Sequence, residues 1–187
     1  MAGARIEFDN QDVIAAIGRV LDAVEHPAPL FQQISDHLKR SHDARFKAQV
    51  SPQGTPWRPL SPAYQRRKHK NADKVLTLRG HLRDTLRGNV SDTGLEFGTN
   101  QPYGAIHQFG GVIKKPASQR TLHFRQGRDG TVGNRFVKES RSNFAQDVTV
   151  REHGITMPAR PWLGTTADDE RRIIEMTQEY LQFALRR

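Results

Sequence analysis

The sequence predicts an α+β fold: an antiparallel sheet flanked by N-terminal helices and a C-terminal helix, with a long β-hairpin arm. Three observations predict it. Apolar residues recur at helical spacing near the two ends of the 187-residue chain, while short apolar runs alternate with turn-forming residues through its middle. Hydrophobic residues make up only 35% of the chain against 26% charged, too few to place the whole length in one compact core. The length suits a single domain over residues 1–187 with an inserted basic β-hairpin arm over residues 112–157, and partner copies would supply the missing burial.

At the start, "ARIEFD" alternates Ile6 and Phe8 with polar neighbours and predicts a short strand. Asp9 or Asn10 then caps a helix whose Val13, Ile17, Val20, Leu21 and Val24 form one apolar face. Pro27 and Pro29 break that run, and a second helix follows in which Leu30, Ile34 and Leu38 recur four apart towards Phe46. The two helices are expected to pack on each other or on a sheet.

From Ser51 to Ala63 four prolines and a glycine exclude both helix and central strand, so this stretch is an ordered loop. "LTLRGHLRDTL" predicts a short helical segment. "RGNVSDTGLEFGTN" predicts two strands joined at Asp92 to Gly94, with Leu95 and Phe97 on one face. In "QPYGAIHQFGG", Pro102 suits the first turn of a short helix, Tyr103 and His107 fall four apart on one face, and Gly110 supplies the left-handed residue that ends it.

"VIKK" then reads as a strand, and "TLHF", "RFVK", "DVTV" and "ITM" give further strand signals separated by the turn-forming "GRDG" and "REHG". Strands joined by short turns pair antiparallel. "PARPWLG" predicts a rigid turn that sets the C-terminal helix near the "YGAIHQFGG" corner. That helix opens at Thr165 and Thr166 before the favourable acids Asp168, Asp169 and Glu170, and carries Ile173, Met176, Tyr180, Leu181 and Ala184 as its stripe.

Charge is uneven. Residues 39–88 hold thirteen Lys or Arg against three acids, residues 114–141 hold eight against two, and the first 38 residues carry a net −4 within a chain of net +9. A basic middle and an acidic start suit both nucleic-acid contact and complementary packing between copies. The chain has no cysteine, which excludes disulfides and thiolate metal sites. No apolar run approaches the roughly 20 residues that span a bilayer, and the N-terminal segment has no signal-peptide apolar region, so the expected site of synthesis and assembly is the cytoplasm.

Patterns that carry catalysis are missing. None of the eight histidines has the i, i+4 spacing of a zinc hydrolase with its carboxylate, no Gly-x-Ser-x-Gly elbow occurs, and Gly110 and Gly111 lead into a strand where a phosphate cradle would lead into a helix. His107 has no visible nucleophile to serve as a general base. The expectation is no catalytic, metal or cofactor site. Candidates for partner contact are Trp57, Tyr103, His107, Phe109, Arg160 and Trp162, and the run "RRKHK" offers Arg66, Arg67, Lys68 and Lys70 to a DNA backbone or an acidic partner. A tryptophan wedged into a loop core and a solvated basic face are the competing structural readings.

The motifs "GTPWRPLSPAYQRRK", "LTLRGHLRDTL", "PYGAIHQFGG" and "PARPWLG", in that order over about residues 45 to 170, resemble the phage virion morphogenesis family of Mu-like and related tailed phages, also described as tail completion proteins. The resemblance implies a structural component of the neck or tail end of the virion, present in the host cytoplasm during assembly. It implies no enzyme. Its implied partners are other copies of itself in a ring, six by the family's geometry, and the neck and tail proteins, with non-specific DNA backbone contact as a further one. The other classes compatible with the residues are a basic nucleic-acid-binding protein of packaging or replication and a capsid assembly chaperone.

Overall fold

The structure is a computed structural model that describes residues 10–187. The strand expected at Ile6 and Phe8, and Asp9 as a cap, lie outside the described residues. The chain divides into two units: the first holds the residues through Phe109 together with Pro158–Arg187, the second is Gly110–Met157.

The first unit begins with α1, Gln11–Glu25, where Asn10 stands at the N-cap without a side-chain capping bond. α2, Ala28–Ala48, follows with Pro29 in its first turn, where the missing N–H costs nothing. Its buried row is Leu30, Ile34, Leu38, His42, Arg45 and Phe46, the spacing of one helical face. The helix ends at Gln49 in the left-handed conformation. That position is held by bonds on both sides: the Gln49 carbonyl accepts from the Trp57 N–H at 2.9 Å and its side-chain oxygen from the Val75 N–H at 2.5 Å.

The Pro-rich loop has only an isolated bridge between Val50 and Pro56 before α3, Pro62–Arg67, whose cap Ser61 accepts from the Tyr64 N–H. α4, His81–Asp84, buries Leu82. The hairpin of β1, Arg87–Ser91, and β2, Gly94–Gly98, pairs Val90 with Leu95 and Gly88 with Phe97. Gly88 has a packing reason, since a Cβ there would meet Ser35 Oγ of α2 at 2.2 Å. α5, Gly104–Phe109, ends at Gly110 with φ 72°, the left-handed stop the sequence predicts. α6, Ala167–Arg186, starts with a full capping box between Thr166 and Asp169.

Two apolar clusters form the core. Phe46, Trp57, Val75, Leu82, Leu86 and Trp162 make one; Leu30, Ile34, Leu38 and Met176 make the other, and Phe97 packs against both. α1 joins neither. It lies along α6 through Arg19, which donates to the Ala184 and Leu185 carbonyls, and through the Tyr180 hydroxyl, which donates to the Ala23 and His26 carbonyls. The expected packing of its apolar face is therefore corrected: Val13, Ile17, Leu21 and Val24 are each at least 50% exposed, as is Ile14 beside them, and Val20 alone of the predicted face is half-buried.

The second unit contains β3, Gly111–Lys115, β4, Ser118–Phe124, β5, Phe144–Val150, and β6, His153–Met157. β3 pairs antiparallel with β6 and β4 with β5, each as a separate two-stranded ladder. The expected single hairpin is thus not one uninterrupted ladder: pairing lapses at Pro116 and Ala117 opposite Arg151 and Glu152, where proline has no N–H to give. "REHG" accordingly does not fold the chain back between paired strands. "RFVK" is not a strand either; Phe136 instead packs tilted against Phe124, ring centroids 5.2 Å apart, and a 3-10 turn, Glu139–Arg141, follows. No residue of this unit is buried.

Candidate assembly interface

The turn "PARPWLG" is gripped from three directions within the first unit. From α5, Gln108 Oε1 accepts from the N–H groups of Trp162 and Leu163, both at 2.9 Å, while its Nε2 donates to the Leu163 carbonyl at 3.0 Å. The Arg160 N–H donates to the His107 carbonyl at 2.7 Å, and the Trp162 indole N–H donates to the Gly104 carbonyl at 3.1 Å. From the Pro-rich loop, the Trp57 indole donates to the Pro161 carbonyl at 2.7 Å, and the Arg160 guanidinium donates back to the Arg58 and Pro59 carbonyls. From α2, Arg45 donates to the carbonyls of Trp162 and Gly164.

These bonds correct three of the interface candidates. Trp57, Arg160 and Trp162 lie inside the chain, with Trp162 only 3% exposed, so they shape the fold and do not face a partner. An indole buries more apolar area than any other side chain and satisfies its single donor on one carbonyl, which favours the interior. Tyr103 and Phe109 remain exposed, and His107 is half-buried edge-on to Tyr103, ring centroids 6.0 Å apart. Burial and the neighbouring Arg160 charge push the His107 imidazole below its ordinary pKa.

A buried ion cluster fixes the start of α6. Asp169 accepts from Arg45 at 3.3 Å, Ser41 at 2.9 Å and the Thr166 N–H at 2.9 Å, and lies 2.9 Å from His37 Nε2. Burial alone would raise the Asp169 pKa; the bonds from the Thr166 backbone, Ser41, Thr166 and His37 outweigh it and hold it lowered. Beside it, His42 is depressed by burial although its Nδ1 lies 2.7 Å from the Leu38 carbonyl. Its Nε2 has no partner. Sequence reasoning passed over Arg45, Gln108 and the hub role of Asp169; the capping position of Asp169 was the only local signal.

The basic run divides in the same way. Arg66, Arg67 and Lys70 are exposed. Lys68 is corrected: it is 9% exposed, and its ammonium donates to the carbonyls of Asn71, Lys74 and Thr77. The loop curls around it through two left-handed residues, Asn71 and Leu76. Burial lowers the Lys68 pKa, offset in part by Asp73. Such an ammonium closes a loop and has no free donor for a phosphate. A shallow groove on the first unit, lined by Lys39, Asp43, Lys47, Arg83 and Asp84, carries both signs of charge, with Arg83 and Asp84 paired at 2.7 Å.

The family whose model matches residues 8–182 is described as the phage virion morphogenesis family. The chain is similar to the Mu-like prophage FluMu G protein 2 of Haemophilus influenzae, 25% identical over 182 residues, which covers 97% of this chain and 98% of that protein. No solved structure matches significantly. No helix among the described residues is long and apolar enough to cross a membrane.

Proposed function

The chain belongs to the phage virion morphogenesis family, and from that premise we propose that it is a non-enzymatic structural component of the neck or tail end of a tailed-phage virion. In this role it is a ring-forming joint, six copies strong, that completes the tail and lets it join a DNA-filled head. One observation carries the reading: a 48-residue unit, Gly110–Met157, that buries none of its own residues. A two-stranded ladder is marginal in water by itself, so a unit of this kind gains its order from what it touches. A second supports it: the apolar stripe of α1 stands open and belongs to neither core cluster. Exposed apolar patches of this kind mark interaction surfaces.

The exposed Arg66, Arg67 and Lys70 suit an acidic partner surface or backbone phosphates passing the joint. The test is a phage lacking the gene, viewed by electron microscopy. The reading expects DNA-filled heads and tails of normal length that stay apart. Empty, unpackaged heads as the sole product would move the protein to packaging, and its absence from purified wild-type virions would make it an assembly chaperone.

A further inference from the structure

The stripe of α1 has an acidic border. Helical spacing places Glu25 one turn beyond Leu21 at the edge of the stripe and Asp22 one turn before Glu25 on that same flank, while Arg19, the helix's single base, is turned onto α6 carbonyls. The second unit carries the opposite character where β4 connects to β5. Phe136 is 71% exposed there, its neighbours Arg135 and Lys138 are exposed with it, and the connection holds Arg125, Arg128 and Arg141 against Asp129 and Glu139. Asp129 is itself engaged by the Thr131 N–H and hydroxyl. The ring of Phe136 is braced by Phe124 and so stands out from the ladder on a fixed base.

We propose that the β4–β5 tip of one copy, led by Phe136 between Arg135 and Lys138, docks on the α1 stripe of a second copy. The proposal rests on the reading of the chain as a self-assembling joint and supplies the contact. Apolar groups meet at the centre, opposite charges meet at the rim, and such complementarity selects the partner and sets its register. Two α1 stripes face to face would set acid against acid, and a phosphate backbone would meet Asp22 and Glu25 with like charge. Because tip and stripe are different patches, the contact is heterologous: each copy offers one of each, and repetition closes into a ring when the rotation allows.

The chain has no cysteine, so single introduced thiols report without background. Full-length Leu21→Cys and Phe136→Cys proteins are oxidised separately and as a mixture, then run on a non-reducing gel. Disulfide-linked dimers abundant in the mixture and at background in each protein alone are the expected result. Dimers from Leu21→Cys alone, a crosslinked monomer from the double variant, or no crosslink in any sample would each overturn the proposal.

A charge test runs beside it. Arg135→Glu with Lys138→Glu should abolish the oligomer on size-exclusion chromatography, and Asp22→Lys with Glu25→Lys in the same chain should restore it. If the first variant stays oligomeric and only loses retention on DNA, the tip is a nucleic-acid surface and the docking is wrong. The two readings fail separately. A crosslink that forms while the deletion phage joins heads to tails normally refutes the proposed role alone, whereas unjoined heads and tails without a crosslink refute this contact alone.

Discussion

Replacing Trp162 with alanine removes the side chain on which the "PARPWLG" turn closes. The indole is 3% exposed, packs in one cluster with Phe46 and Leu82, and donates to the Gly104 carbonyl. Burying an aromatic of this size removes about 150–250 Å² from water, and truncating it in a core costs about 3–5 kcal/mol. The Gly104 carbonyl loses its donor as well, which adds about 1 kcal/mol. A total of about 4–6 kcal/mol is a large part of the stability of a domain and lowers the melting midpoint by about 8–24 °C for a chain of this length. Trp162→Phe keeps the ring contacts and loses only the donor and part of the area, so it should cost about 1–2 kcal/mol. Far-UV circular dichroism against temperature and urea reads both without depending on the tryptophan signal. A midpoint within about 2 °C of wild type for Trp162→Ala would refute the view that this turn is locked into the core.

Asp169→Asn leaves the buried Arg45 without its counter-charge and weakens the α6 capping box, so it should destabilise by about 3–5 kcal/mol, read by urea denaturation; the double variant with Arg45→Met should recover part of that loss. Lys68→Met should lower stability by about 2 kcal/mol because three carbonyls lose a charged donor, whereas Arg66→Ser, Arg67→Ser and Lys70→Ser together should leave the melting midpoint in place and weaken assembly or DNA retention most at low salt. Stability should fall with acid in two windows. His42 and His107 have folded pKa values below 6.5, so the unfolded chain binds protons first and stability is lost as pH drops below 6.5; Asp169, lowered from 3.8, keeps its contribution until pH falls below that value. Melting midpoints across pH check both windows, and His42→Phe should flatten the upper one. Removing residues 116–156 should leave the first unit folded by circular dichroism and reduce self-association; loss of all structure would make the second unit part of the core.

Elements whose signal is local were legible in the sequence. The i, i+4 row of α2, the Thr166 cap of α6, the turn between β1 and β2, and Gly110 as the stop of α5 each follow from neighbours a few residues apart. What escaped depends on distant partners. Lys68 sits in a run of cations and looks like the rest, because the carbonyls that claim it converge only when Asn71 and Leu76 turn left-handed. Arg45 and Asp169 stand 124 residues apart, and nothing near either announces the pair. The α1 stripe shows the opposite limit: amphipathic spacing says that a face wants cover and is silent on whether the same chain supplies it. "RFVK" has strand composition, yet the aromatic contact of Phe136 with Phe124 takes the residue out of a ladder register.

Complementation in vitro shows whether this chain is the joint between head and tail. Lysate from phage lacking the gene is supplied with the purified full-length protein, and joined particles and plaque-forming units are counted. Filled heads and finished tails should then combine and infectivity return, with no such rescue from a Leu21→Glu protein whose fold is intact. Joined particles before any protein is added, or no joining after a folded and oligomeric protein is supplied, would contradict it.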